Sequence, residues 1–539
     1  MKKPGVDYTN IPKEKFKFVN PRAVLQAENG RSFDELEQTV KLKDVRENAK
    51  AENKPVGWFQ DAVRRFFHNR SALAGTMLLC CLILFAVLVP LLCSNSYTEN
   101  STDTLCLQYS KLLPKSEWFA WTGWDGCYRE TLKEADYYSR LAICEETGMN
   151  PIAEVYRADY KDTSGTADTS YYDVRTDSYI NNGMLYLNLT AGEYKDIQDW
   201  QNENGIQVIY PAVELSDFAI PALQNNADIW YECTPKGAPV LDENGNFVPV
   251  YITDGREDDY NSLRIAGDDG SLCYARITGS SDAPVYKVRV FSYTYFQYRY
   301  GFEPSFLFGT NAFGQDILTG LAKAARFSLL LAVCVSVINF VIGVLYGAVA
   351  GYYGGAVDLV MERLADVLSG VPFIVVTALF QLHLAQKIGV VWALLFAFVL
   401  TGWIGMARTT RMQFYRYKKK EYVLAARTMG AGPLRLMFRH IFPNAVGTLI
   451  TGAVLLIPNV IYAESNLTYL GVVNLDTSDM ASIGSMLAAG QPFLTSSPHI
   501  VVFPAVYISL LMIAFNLLGN GLRDAFNPTL RGGEDAYEQ

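Results

Sequence analysis

The sequence predicts a mostly α-helical membrane protein of six spans, with a large α+β or mostly β domain inserted between the first and second. Three observations predict it. Long apolar runs recur along the chain, the first being the 21 residues from Leu73 to Cys93, LAGTMLLCCLILFAVLVPLLC. Mean hydropathy is nevertheless only +0.08, because 19% of the residues are charged and most of them lie outside those runs. The charge is also divided: residues 97–300 hold about 32 acids and 16 bases, roughly −16. The whole chain carries −9, so the remainder carries roughly +7, the signature of an acidic block set into a basic membrane protein.

The first 70 residues are polar and mixed in charge, with a short amphipathic piece expected over Trp58–Phe67. The run at 71–93 follows. At 1.5 Å per residue its 21 apolar residues from Leu73 to Cys93 cover roughly 31 Å, one hydrocarbon core. It starts too far into the chain, and is too long, for a secretory signal. Arg64, Arg65 and Arg70 immediately precede it, so the N-terminal region is predicted to be cytoplasmic.

Residues 94–300 are then extracytoplasmic. They are rich in Tyr, Asp, Asn, Thr and Gly, carry turn signals such as Asn244–Gly245–Asn246, and contain no run long enough to cross a membrane. Their end, YKVRVFSYTYFQYRY at 286–300, favours β structure. Tyrosines at 137–138 and 171–172 offer contact area for a partner. Outside the cytoplasm the block's cysteines can pair, and nearest neighbours suggest Cys127 with Cys144 and Cys233 with Cys273; free buried thiols are the alternative.

Apolar segments resume within 301–524, with spans expected at 327–350, 357–381, 388–407, 444–464 and 499–521. Six spans return the tail, 525–539, to the cytoplasm. Alternation also places residues 408–440 inside, and this segment holds Arg408, Arg411, Arg416, Lys418, Lys419, Lys420, Arg427, Arg435 and Arg439. Lys323 and Arg326 fall on the outer side, where a short interfacial helix would accommodate them. Within the basic loop, Tyr422–Met429 reads as a short helix, Gly430 as its left-handed stop, and Pro433 as the first turn of a second helix. Pro443 precedes the next span. A small-residue helix between two breaks, held at the membrane surface, can fit closely into a groove on another protein.

Several polar residues stand out. Asp358, Glu362 and Asp366 recur every four residues, with Asp366 expected to lie deeper and to contact the cytoplasmic loop, and Asp358 expected to be an ordinary helix-end carboxylate. Glu464, near the outer end of the fifth span, is an intramembrane carboxylate; it either lines a pathway, meets a neighbouring subunit, or reaches outer water. Gly343, Gly347 and Gly351 are spaced for close helix packing. No G-x-x-x-x-G-K-[ST] and no H-E-x-x-H occurs, and there are four histidines. The chain is therefore expected to hold no catalytic residue, no metal and no nucleotide site of its own.

The loop EYVLAARTMGAGPLRLMFRHIFPNAVGTLI resembles that of binding-protein-dependent ABC importer permeases through Glu421, Ala425, Ala426 and Gly430. Phe308–Asp316 (FGTNAFGQD), Ala350–Gly355 (AGYYGG) and Phe515–Asp524 (FNLLGNGLRD) resemble the C-type subunit of the dipeptide/oligopeptide branch. Asn311 and Gln315 depart from that branch, which usually has an acid and an arginine there, and Ile483 stands where a Trp is usual. The resemblance covers about 58–93 and 301–531 and implies a type I ABC importer permease with six transmembrane helices in the cell membrane. It also implies a second, homologous permease, two ATPase subunits that hold the ATP and Mg, and an extracytoplasmic peptide-binding protein, with no nucleic acid involved. Nickel or another solute remains an alternative cargo. The rival classes are a membrane-anchored receptor or adhesin, which leaves the loop unexplained, and an ion-coupled transporter, which usually has mid-membrane ion sites that these spans lack.

Overall fold

A computed structural model of the chain describes residues 58–93, 104–161, 170–213, 226–234, 238–252, 262–263, 272–280, 283–475 and 481–526. The expectations for residues 1–57 and for the tail beyond Phe526 lie outside these. The chain divides into two compact units, Met1–Asn69 and Arg70–Gln539. In the first, Trp58–His68 forms helix α1, as the amphipathic pattern predicts, with Arg65 and His68 in its last turn where the helix dipole favours cations.

Among the described residues of the second unit five helical stretches are long and apolar enough to cross a membrane: α2 (Arg70–Leu92), α6 (Ile317–Tyr353), Val390–Tyr417, Pro433–Tyr469 and α14 (His499–Phe526). The expected third span is instead two helices, α7 (Gly355–Ser369) and α8 (Phe373–His383), bent by 71°. The break, Gly370–Val371–Pro372, follows from its residues: Pro372 has no N–H to donate and disfavours helical geometry at Val371. Counting the bent pair as one span makes six. The second span also starts earlier than expected. Asp316 caps α6 by accepting from the Leu318 and Thr319 N–H groups, at 3.1 Å each. Lys323 and Arg326 thus sit in the first turns of one 37-residue helix and not in a separate interfacial one.

Val390–Tyr417 comprises α9 (Val390–Gly402) and α10 (Ile404–Tyr417). The latter packs along α6 on the three glycines. A Cβ on Gly343 would come within 2.7 Å of Met406 Cβ, one on Gly351 within 2.7 Å of Phe414 Cβ, and one on Gly347 would strike the Ala407 carbonyl. Packing is therefore what this spacing serves. The first span lies along the last: Gly75 leaves room for Leu517, and the Tyr507 hydroxyl donates to the Leu82 carbonyl at 3.0 Å.

The polar block is α+β. Strands β1 (Cys127–Lys133), β2 (Ile152–Lys161) and β3 (Ser170–Asp177) form an antiparallel sheet in the order β1-β3-β2, covered by α3 (Glu134–Thr147). In a second sheet β4 (Met184–Thr190) pairs with β8 (Ala283–Phe291), which also pairs with β5 (Ile209–Tyr210) and β7 (Ala275–Ser280); β6 (Ser262–Leu263) forms the edge beyond β7. Helix α4 (Ala191–Asn204) follows β4 through a capping box at Thr190 and Glu193. The turn at Asn244–Gly245–Asn246 forms as expected, with Gly245 at φ +84°. At the core of the block Arg289 is fully buried against Glu146 and also donates to the Ala227 carbonyl. Nearby, burial pushes the Asp228 carboxyl up to about 6, although it accepts the Met184 N–H.

Three expectations for this block are corrected. Residues 286–300 are not one strand: β8 stops at Phe291, and Ser292–Tyr300 is helix α5. Its helical spacing places Phe296 and Tyr300 4.7 Å apart and buries Phe296 against Tyr109, so packing overrides β propensity. All nine cysteines are free thiols, so neither proposed pair is joined. Cys273 is buried with Ala212 and Ile252, whereas the Cys233 thiol turns to the Tyr231 carbonyl and the Cys127 thiol to that of Asp125. Finally, Tyr137 stacks on Tyr172 at 4.0 Å, which uses much of the aromatic area expected to face a partner.

Because the α6–α10 contact admits no side chain at Gly347, Gly347→Leu should destabilise the protein by about 2 kcal/mol or more. A fall in apparent melting temperature in detergent is expected; an unchanged value would show that the helices do not pack this closely.

Candidate functional site

The basic loop folds as a compact elbow. Helix α11 (Glu421–Thr428) ends at Met429, and Gly430 takes φ +86°, a left-handed value that suits glycine. The Ala431 N–H then returns to the Ala426 carbonyl at 3.0 Å. Pro433 opens the next helical turn at its first position. The two alanines of the motif have different surroundings. Ala426, with Val423, is buried against Phe414, Leu436, Met437 and Ile441, which fixes α11 to the end of α10. Ala425 and Glu421 are exposed on the other side. Beside them Tyr422, Leu424, Met429 and Leu434 are exposed apolar side chains, Met429 by 82%. A small-residue helix with an apolar rim is thus presented on a firmly packed base.

Between the elbow and the next span the helix runs as a π segment, Leu436–Ile441, before α12 (Phe442–Tyr469). Pro443 lies in the first turn of α12. Its ring crowds the carbonyl four residues back, which accounts for the local widening.

The acidic row of α7 meets the basic residues of α10. Arg411 Nη2 donates to Asp358 at 2.7 Å and the Tyr415 hydroxyl donates to the same carboxylate at 2.6 Å. Arg408 donates to Asp366 at 2.8 Å and to Glu362 at 3.2 Å. Lys418 donates to the Gly351 carbonyl at 2.8 Å, tying the same corner to the end of α6. Side-chain burial does not single out Asp366, although it does meet Arg408 at the start of the basic segment. Asp358 is the buried, doubly bonded carboxylate, its side chain 10% exposed, and Asp366 is the outlying one at 40%. Depth depends on which residues of α10 face α7, and Arg411 and Tyr415 face the first turn. Just beyond, a cleft of about 420 Å³ opens at the helix break between Pro372, Thr401 and Arg408.

Glu464 neither reaches water nor faces outward from this chain. It is 1% exposed, and its carboxylate accepts from Ser328 and Thr468, both at 3.1 Å, with Ser465 beside it. Ser482, the capping residue of α13 (Ile483–Gly490), completes the hydroxyl cage. The carboxylate therefore joins α6, α12 and α13. Sequence reading also passed over Asn339, which is 2% exposed within α6 and lies against Gly402, where a side chain would collide with it.

On the far side the segment Phe308–Asp316 clasps the chain that follows α2. Thr310 Oγ1 accepts the Leu112 N–H at 2.8 Å and donates to the Tyr109 carbonyl, while the Lys111 N–H donates to the Asn311 carbonyl at 2.9 Å. Within the segment Asn311 Nδ2 donates to Gln315 Oε1 at 2.9 Å. The two departures from the expected acid and arginine thus pair with each other.

Comparison with known proteins gives a consistent result. Residues 343–532 match the family described as binding-protein-dependent transport system inner membrane component. Residues 57–111 match the N-terminal transmembrane domain of oligopeptide transport permease C. The chain is 40% identical over 224 residues to the oligopeptide transport system permease protein OppC of Bacillus subtilis, covering 42% of this chain and 72% of that protein. It is 41% identical over 225 residues to the dipeptide transport system permease protein DppC of the same organism, covering 42% and 69%. A solved structure of inward-facing MetNI methionine ABC transporter aligns over 38% of this chain and 96% of that one, with 14% identity and a TM-score of 0.33, too distant to bear on the argument.

The contrast between the two carboxylates of α7 is measurable. Asp358→Ala leaves Arg411 with a 3.4 Å contact to Glu362 and the face of the Tyr415 ring, and should cost about 3 kcal/mol. Asp366→Ala removes a solvent-exposed pair and should cost less than about 1 kcal/mol. Equal losses of thermal stability would contradict the depth order.

Proposed function

Because the chain belongs to the binding-protein-dependent transport permeases, in their oligopeptide and dipeptide C branch, we propose that it lines one half of a peptide import pathway and transmits ATP-driven motion through α11. A second, homologous permease supplies the other half. Two ATPase subunits bind and hydrolyse ATP beneath the pair, and an external binding protein delivers the cargo. The chain itself performs no hydrolysis in this reading. Peptides are the cargo by the names of the relatives, OppC and DppC; nickel or another solute would use the same architecture, and ligand screening of the cognate binding protein distinguishes them.

The observation that carries the coupling role is the split of the alanine pair. One alanine holds α11 to the membrane domain, and the other leaves a low, apolar-rimmed surface free for a partner. Force applied to α11 would pass into α10 through Phe414. From there it would reach α7 through Arg411 and α6 through the glycine contacts. A one-span receptor has no use for this arrangement.

Ala425→Trp should leave the permease folded and in the membrane while lowering ATPase co-purification and peptide uptake at least tenfold, because the bulky ring cannot enter a close-fitting groove. Ala426→Trp should instead reduce the amount of folded permease. Normal uptake by Ala425→Trp would remove α11 as the coupling element.

The same reading places the termini and α11 inside the cell and the inserted domain outside. In a cysteine-free background, Asn244→Cys should react with an impermeant reagent on intact cells, and Thr428→Cys only after the membrane is opened. Labelling of both from one side would overturn this orientation.

A further inference from the structure

The inserted domain carries a closed loop whose six-residue tip holds three aromatic side chains. The Ser116 N–H donates to the Trp124 carbonyl at 2.8 Å, the Lys115 and Asp125 backbones pair as in an antiparallel ladder, and the Gly126 N–H donates to the Pro114 carbonyl at 3.0 Å. Between these ties, Glu117–Thr122 (EWFAWT) makes two tight helical turns ending at Gly123, φ +93°. Trp118 and Trp121 are 86% and 85% exposed, with Phe119 exposed beside them. Exposing two indoles on a stem held this firmly wastes apolar area unless something covers them.

The stem shows what covers them. Trp124 packs edge-on against Phe503 at 5.6 Å and Phe308 at 6.3 Å, and those two rings stack at 4.1 Å. Phe503 lies one turn into α14, a membrane span. At the other end of α14, Arg523 and Asp524 are the charged residues of the last turn. The 20-residue separation from Phe503 to Arg523 covers about 30 Å, the thickness of the hydrocarbon core. Phe503 therefore sits at the outer hydrocarbon boundary, and Trp124 with it. Val502 and Val506, on either side of Phe503 along α14, are exposed, so the apolar surface of the span continues from the base of the loop. Indoles favour this boundary because the ring is apolar while the N–H can bond to headgroups. Glu117 is the only charged residue in the tip.

We propose that Trp118 and Trp121 insert into the interface of the outer lipid leaflet, making the 115–125 loop a membrane anchor that holds the inserted domain down beside α14. The anchor rests on the reading of this chain as a membrane-spanning permease. It also gives the domain a fixed height above the bilayer that its acidic charge would not provide.

The test uses the full complex, with its ATPases and second permease, reconstituted in phosphatidylcholine vesicles whose acyl chains are brominated at shallow or deep positions. Subtracting the fluorescence of a Trp118→Phe/Trp121→Phe double variant from that of the unaltered protein isolates the two indoles. Shallow bromines should quench that difference by about half, and more than deep bromines do. A difference signal untouched by either lipid overturns the anchor: iodide quenching would then place the loop in water, and resistance to iodide would place it under a protein subunit. Ile513→Trp, midway between Phe503 and Arg523, serves as the depth reference. Quenching of its added signal by deep bromines shows that α14 spans, so a failed anchor is told apart from a failed span; absence of that quenching sinks both.

Discussion

Close approach of α6 and α10 sets the position of nearly everything at the α11 end of the helices. Three glycines along α6 let the backbone of α10 come within contact, and no other residue type would fit at Gly347. That approach brings Phe414 to the end of α6. Phe414 in turn forms the floor on which Val423 and Ala426 seat α11. It also turns Arg411, Tyr415 and Lys418 toward α7 and the end of α6, where their partners lie. The exposed face of α11 is therefore held by packing in the membrane domain, since an eight-residue helix is far too short to be stable alone.

The charges at this corner do different work according to depth. The Asp358 carboxylate is bonded by Arg411 and Tyr415 and mostly shielded from water, so losing one partner would strand a charge in poor solvent. Arg408 with Glu362 and Asp366 is exposed and can rearrange at small cost. The corner thus has one fixed, buried clamp and one loose, exposed clamp next to a 71° helix break.

What the sequence made legible follows from how local each decision is. The turn at Gly430 and the helix start at Pro433 depend on the conformational limits of single residues, and both stand where expected. The Gly343–Gly347–Gly351 contact was legible because a spacing of four marks one face of a helix. The depth of Asp358, the surroundings of Glu464 and the state of the cysteines were not legible, since each depends on residues brought from distant parts of the chain. Ser328 and Ser482 lie 136 and 18 positions from Glu464, and nothing in their local pattern marks them as its partners. The end of the inserted domain misled for a related reason. SYTYFQYRY has strong β propensity, yet burial of Phe296 among Tyr109, Tyr300 and Phe302 is satisfied only by a helical turn.

The pair Asn311 and Gln315 shows how a change of residue type can leave a structural role intact. An acid and an arginine at this spacing would hold the clasp by a charge-assisted bond. Two amides hold it here by a neutral one at 2.9 Å, with the Asn311 side chain also accepting the Phe313 and Gln315 N–H groups. The backbone ties of Thr310 and Asn311 to Leu112 and Lys111 need no charge at all. A neutral clasp is also insensitive to salt and pH, whereas an exposed ion pair would be screened. In this chain the clasp joins the segment that leads into the α+β block to the start of α6, so a joint that does not loosen with the medium keeps that block in register with α6.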